Sequence, residues 1–313
     1  MKYWLLILIT SFCVCKLPAQ QYSSANKQQL AQMEENMRTY ARDIVNAPEL
    51  VDRLRADSFF TRSLVQALKL PYSFYHHFDS LGTISVLYAP DSSFRIFTWQ
   101  LMRDFTYYRQ KGAIQMNTKE GNLKLIPLYD FSAFTDNPVD SIRDNEHWIG
   151  AVYYNIIQKS YKNKNYYTLI GYDENDARST KKWVEVLSFD ENGKPQFGGQ
   201  YFTYPNDPIK PPQPAYRFCL EFKKEANAKL NYDPELGVIM FASLVSEVGD
   251  PGVKSTLVPL GSFEGFKWQN GKWVYIPLIR EIDPRPNVNP QKEGADQPKP
   301  LFPAVPKVKG KGL

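Results

Sequence analysis

From Asn26 to Asn46 the apolar residues fall at helical spacing. Leu30, Met33, Met37, Ala41 and Ile44 recur every three or four positions and therefore share one helix face. Ala47-Pro48 interrupts the pattern, and a second helical stretch begins at Pro48 or Glu49. Within it "DSFFTRSLVQALKL" aligns Phe60, Leu64 and Leu68 on another stripe, with Asp57 or Ser58 offered as its N-cap. Pro71 closes the helical region.

After Leu70 the period changes to that of strands. "TISVLYA" and "SFRIFTWQL" flank the turn formers "PDSS", which reads as a hairpin. Further runs dominated by Val, Ile, Tyr, Phe and Trp are "KLIPLYDF", "WIGAVYYNIIQK", "NYYTLIGYD", "KKWVEVLSFD", "PQFGGQYFTY", "YRFCLEFKK", "GVIMFASLVS", "FEGFKWQ" and "KWVYIPLIR". The gaps between them are too short for crossover helices, so neighbours are expected to pair antiparallel. Two Asn-Gly pairs, Asn192-Gly193 in "FDENGKPQFGG" and Asn270-Gly271 in "WQNGKW", predict type I′ hairpin turns, in which both central residues need positive φ. "PNDPIKPPQP", with five prolines in ten positions, cannot be an interior strand and predicts a stiff surface connection. The fold class expected is mainly β (α+β): a large antiparallel β domain over 72–282 behind an N-terminal helical segment over 20–71.

The two ends of the chain differ from this body. "MKYWLLILITSFCVCKLPAQQ" has an early lysine, an apolar run of about a dozen residues and a small residue at Ala19, the anatomy of a secretory signal peptide over 1–19. The run is shorter than the roughly 20 residues a membrane span needs, so no transmembrane segment is expected in the mature chain. A lipid anchor on Cys13 or Cys15 is the alternative; Phe12 and Val14, which precede them, are bulky where small residues are favoured. Residues 283–313 combine prolines with lysine and glycine and predict a disordered or extended tail.

Charge and cysteine follow from this division. Of the 38 cations and 33 anions, eight cations and three anions lie in the leader and tail. The body carries thirty of each, so the net charge of +5 does not predict a nucleic-acid partner. Removal of the leader leaves Cys219 as the sole thiol, which excludes an internal disulfide. Cys219 sits in the strand-like "YRFCLEF", where a buried inert thiol is expected.

Few residues suggest chemistry. "GYDENDARSTKK" crowds carboxylates and an amide into one loop, which makes Asp173, Asn175 and Asp176 weak candidate ligands for a hard cation such as Ca²⁺. A solvated polar turn is the competing reading. Ser179-Thr180-Lys181-Lys182 spells S-x-x-K, but that motif needs a helix start and this one enters a strand. His147 lies beside Asp144 and Glu146, where an acid/base pair competes with an ordinary loop, and His76-His77 would point to opposite sides of an extended chain. Trp99, Trp148, Trp183, Trp268 and Trp273 lie in or beside strands, and core packing competes with a sugar-stacking role.

The segments "FDSLGTISVLYAPDSSFRIFTWQL", "HWIGAVYYNII", "YYTLIGYDENDARSTKKWVEVLSFDENGKPQFG", "LNYDPELGVIMFASL" and "FEGFKWQNGKWVYI" resemble a family of uncharacterised exported β-rich proteins of Bacteroidota. The resemblance implies export and a shared β-rich fold, and no activity or site residue. The expected protein is periplasmic or secreted and non-catalytic, binding or scaffolding envelope glycan or another envelope protein. The alternative is a hydrolase of glycan or peptide whose carboxylates come from separate loops.

Overall fold

The computed structural model describes residues 22–104 and 106–279. The expected signal peptide, the cysteines at 13 and 15 and the tail over 283–313 lie outside the described residues. Two helices, α1 (Ser24–Asn46) and α2 (Leu50–Leu68), precede fourteen strands arranged in three sheets. No helix among the described residues is long and apolar enough to cross a membrane.

Helix α1 starts where the Ser23 side chain accepts the backbone N–H of Asn26, and it stops where Ala47 turns extended before Pro48. Its buried face is Leu30, Glu34, Met37, Ala41 and Ile44. Glu34 is inside because Ser80 donates to it through both backbone and hydroxyl, and His76 Nε2 lies 2.6 Å away. The predicted cap at Asp57 or Ser58 is wrong: α2 begins about two turns earlier at Leu50, and Asp57 lies within it. Asp57 is buried, accepting from the indole of Trp99 at 2.9 Å and pairing with Lys111 at 3.0 Å. A capping residue type is here a tie between helix and sheet.

The first sheet, β1 (Ser85–Tyr88), β2 (Phe94–Asp104), β3 (Tyr107–Met116) and β4 (Lys124–Tyr129), is an antiparallel meander. Strand β2 alternates cleanly: Phe97, Trp99 and Leu101 pack on the helices, while Phe94 and Ile96 face the second sheet. The second sheet has the order β10-β7-β6-β5, with β8 beside β7. Its strands are β5 (Val152–Tyr161), β6 (Lys164–Asp173), β7 (Ser179–Phe189), β8 (Pro195–Phe197) and β10 (Phe218–Lys223). The third, ordered β11-β12-β13-β14-β9, comprises β9 (Phe202–Thr203), β11 (Leu230–Asp233), β12 (Val238–Ser246), β13 (Leu257–Gln269) and β14 (Lys272–Ile276). Val184, Val186, Phe218 and Leu220 of the second sheet share a core with Phe241, Phe266 and Trp273 of the third. The order of layers is therefore helices, sheet, sheet, sheet.

All strand pairings are antiparallel as expected except one: β9 lies parallel to β14, with Phe202 beside Trp273. The two Asn-Gly turns also differ. Asn270 and Gly271 both have positive φ, 49° and 81°, as a type I′ turn requires. At Asn192-Gly193 only Gly193 does, at 76°, and the Asp190 carboxylate caps the turn by accepting from the backbone of Asn192 and Lys194. That hairpin is longer than the type I′ expectation, because aspartate holds it open.

Candidate functional site

Two polar pockets lie on the second sheet, one at each end of β7. The first is bordered by the loop that carries the predicted cation ligands, of which Asp176 alone is among its lining residues. Asp173 ends β6 and its Oδ1 accepts from the backbone of Asn175 and from the Gln110 amide, both at 2.9 Å. Asn175, at φ 55°, donates its side-chain amide to Ser179 Oγ, which donates to Glu221 at 2.6 Å. Asp176 Oδ1 accepts the backbone N–H groups of Arg178 and Ser179. Each polar side chain is thus used to shape the loop, and the three point at different partners. No group of three or more His, Cys, Asp or Glu is placed to hold a metal among the described residues. Asp176, Arg178, Ser179, Glu221 and Lys254 line a cavity of about 230 Å³ here. Ser179 and Lys182 fall on opposite faces of β7, and Lys182 donates to Ala228 O at 2.7 Å, so the S-x-x-K spacing has no catalytic geometry.

Beneath this loop lies a pair of carboxyls that no motif announced. The backbone N–H of Gln110 donates to Asp130 at 2.8 Å while its side-chain amide donates to Asp173, so one glutamine holds both acids. Burial raises both, Asp173 to about 6, and the nearby Asp130 charge adds to this against the opposing pull of Lys181. Gly150, at φ 84°, lets the chain pass over the pair; a Cβ there would come within 2.7 Å of Gln110.

The second pocket is built on the segment between β4 and β5. Asp144 accepts three bonds on Oδ1: from the backbone of Glu146 and of His147, and from His147 Nδ1 at 2.8 Å. Burial alone would raise Asp144, but these bonds hold it below the usual carboxylate range. The imidazole is thereby oriented through Nδ1. With Ile142, Arg143 and Gln196 of β8 these two residues line a cavity of about 290 Å³. Phe131 packs edge-on against the imidazole at 5.0 Å between centroids and contacts Phe134 at 5.2 Å, so three rings run outward in a row. Phe134 is 76% exposed.

A buried network fixes this pocket's floor. Arg217, fully buried, pairs with Glu185 at 3.1 Å and donates to the carbonyls of Pro138, Ser141 and Phe197. Tyr153 donates to the other Glu185 oxygen and accepts from the Trp148 indole. Arg143 and Phe197 exchange backbone hydrogen bonds at 2.9 and 2.7 Å, which attaches the loop to β8. Gly198, at φ 89°, makes room for this: a Cβ would lie 2.8 Å from Arg217 Nη2. The run "PQFGGQYFTY", expected as one strand, is split at its glycines between β8 and β9 of different sheets, and the service of Gly198 to a buried arginine 19 positions later was not legible.

The other expectations fall as follows. Trp99, Trp148, Trp183 and Trp273 are buried, and Trp268 packs on Trp273, so these rings serve the cores. Cys219 is partly buried against the core between the first two sheets, and burial pushes its thiol up. His76 and His77 diverge, the first to Glu34 and the second against Tyr88. The proline-rich loop is pinned through Lys210, which is buried between Asp207 and Glu264 at 2.6 and 2.7 Å.

The chain matches no protein-family model, and no curated protein and no solved structure is similar to it. What the fold of the described residues defines is a class: a mainly β, α+β protein of three largely antiparallel sheets and two helices.

Proposed function

We propose that this is an exported envelope protein, periplasmic or secreted, whose role is binding or scaffolding rather than catalysis. Its partner is envelope glycan or another envelope protein. The observation that supports this best is where the reactive groups sit. The acids with raised pKa, Asp130 and Asp173, are enclosed under a loop and tied to Gln110, whereas the accessible pocket at His147 has a rigid floor, and Phe131 links its imidazole to the exposed Phe134. A concave site whose polar groups are held in fixed positions suits recognition. The leader-like first 19 residues and the resemblance to exported Bacteroidota proteins support the location.

A second reading, hydrolysis of glycan or peptide, is favoured by the meeting of Asp130 and Asp173, which come from separate segments and both hold protons above the usual range. One experiment separates the two. The full chain, expressed with its leader in a Gram-negative host, is fractionated, and its purified mature form is incubated with isolated envelope. The expected result is export with a new N-terminus near residue 20, sedimentation with the envelope and no release of sugar or peptide. Release that disappears in Asp173→Asn would replace the binding reading with the hydrolase, and retention in the cytoplasm with an intact leader would remove the location.

A further inference from the structure

The pocket at His147 is lined mainly by polar side chains, and exposed apolar residues lie beside it in the chain. Arg143, Asp144, His147 and Gln196 present planar hydrogen-bonding groups, and Ile142 is the single apolar residue lining it. Outside, Phe134 and Ile142 are 76% and 50% exposed, and Phe131 joins Phe134 to the imidazole. An apolar side-chain anchor from a protein partner needs an apolar socket to bury it, which this floor is not. A sugar has the matching asymmetry: hydroxyls at its edge suit carboxylate, amide and guanidinium groups, and its C–H face suits an aromatic wall.

Charge narrows the class. The Arg143 guanidinium is already engaged by Asp140 at 2.9 Å, and Asp144 and Glu146 add negative charge beside it. An anionic ligand would meet more carboxylate than free cation there. The geometry points to a binding site for a neutral oligosaccharide in the pocket formed by Arg143, Asp144, His147 and Gln196, with Phe134 and Phe131 as its stacking wall. This deepens the binding reading proposed above and rests on it.

Three features make the site ready-formed. Arg217 holds the carbonyls of Pro138 and Ser141, Asp144 fixes the imidazole through Nδ1, and β8 presents Gln196 from a strand rather than a loop. The ligand therefore meets groups that lose little freedom on binding.

The test uses the mature full-length chain and calorimetric titration with neutral trisaccharides of glucose, mannose, galactose and N-acetylglucosamine, a uronate trisaccharide, and a tripeptide. Binding of at least one neutral trisaccharide is expected, with the uronate and the peptide silent. Phe134→Ala, at an exposed position, should weaken that binding about tenfold without lowering the melting temperature. Gln196→Ala should weaken it as well, and Leu260→Ala, at another exposed apolar residue on the third sheet, should leave it unchanged. Silence of every neutral sugar overturns the site. So does sugar binding that survives both Phe134→Ala and Gln196→Ala, or preference for the uronate. Peptide binding lost in Phe134→Ala would overturn the glycan assignment and keep the binding reading. Cleavage of a trisaccharide would instead overturn the non-catalytic reading, with the sugar site intact.

Discussion

Burial keeps Asp173 protonated to about pH 6, whereas the unfolded chain ionises it near 3.8. The native state therefore holds more protons across that window, so stability falls as pH rises through it and levels off above. Asp130 is displaced in the same direction and steepens the fall; Lys181, opposite Asp173 in register, opposes it. Asp173→Asn keeps an acceptor for Gln110 and Asn175 but has no charge to bury. Urea titrations of this variant should show a shallower loss of stability between about pH 4 and pH 6.5 than wild type. Identical slopes would show that the Asp173 carboxyl does not carry the effect. At the other pocket, Arg217→Met removes the donor to three carbonyls and strands Glu185 without its partner, at a cost of about 3–5 kcal/mol. Gly198→Ala should approach the same defect, because its Cβ would crowd the guanidinium; crystallographic or calorimetric equivalence to wild type would contradict that.

At the scale of elements, the two Asn-Gly turns allow a paired comparison. Asn270 sits in the left-handed region and Asn192 does not. Asn270→Ala should therefore cost about 1 kcal/mol in thermal unfolding, and Asn192→Ala only a few tenths. Equal losses would mean that the turns share one conformation. Much of this level was legible from sequence: strand runs, helix stripes and the break at Pro48 all follow from periodicity and proline. Two strands were not. In "YYRQKGAIQM" β3 buries Gln110, Ala113, Ile114 and Gln115 without alternation, and its glutamines look solvent-facing until Asp130, Asp173 and Arg95 are seen around them. "LNYD" is too short to register beside its turn residues. The His147 pocket was half visible, since Asp144 and His147 are near neighbours in sequence. Gln196 and Arg217 are not, and only tertiary structure brings them to it.

For the whole molecule, the helices are one wall of a core. Phe60 of α2 meets Trp99 edge-on at 5.3 Å, and Leu30, Met37, Ile44, Phe97 and Leu101 enclose the same space. Arg95 helps close it: fully buried, it lies 4.7 to 5.6 Å from the rings of Phe74, Phe78, Tyr88 and Phe97 and donates to backbone carbonyls of the segment leaving α2. A chain begun at residue 72 would expose Phe97, Trp99 and Leu101 across one face of the first sheet. Such a truncation should sediment as aggregate where the full chain runs as a discrete species; a soluble, cooperatively unfolding product would show that the sheets stand alone.

The layers of this protein follow the order of the chain, helices first and the third sheet last, with one crossing: β9 joins the third sheet before β10 completes the second. A chain appearing N-terminus first, from a ribosome or a membrane pore, can thus build against surfaces already made, each sheet serving as the template for the next. The crossing sets the single point where this cannot proceed stepwise. Residues 198–217 carry the chain away to the third sheet and back, so Arg217 cannot reach Glu185 and complete the His147 pocket until that excursion is finished. The pocket is accordingly a late product of synthesis, available only on a chain that has emerged past the proline-rich loop.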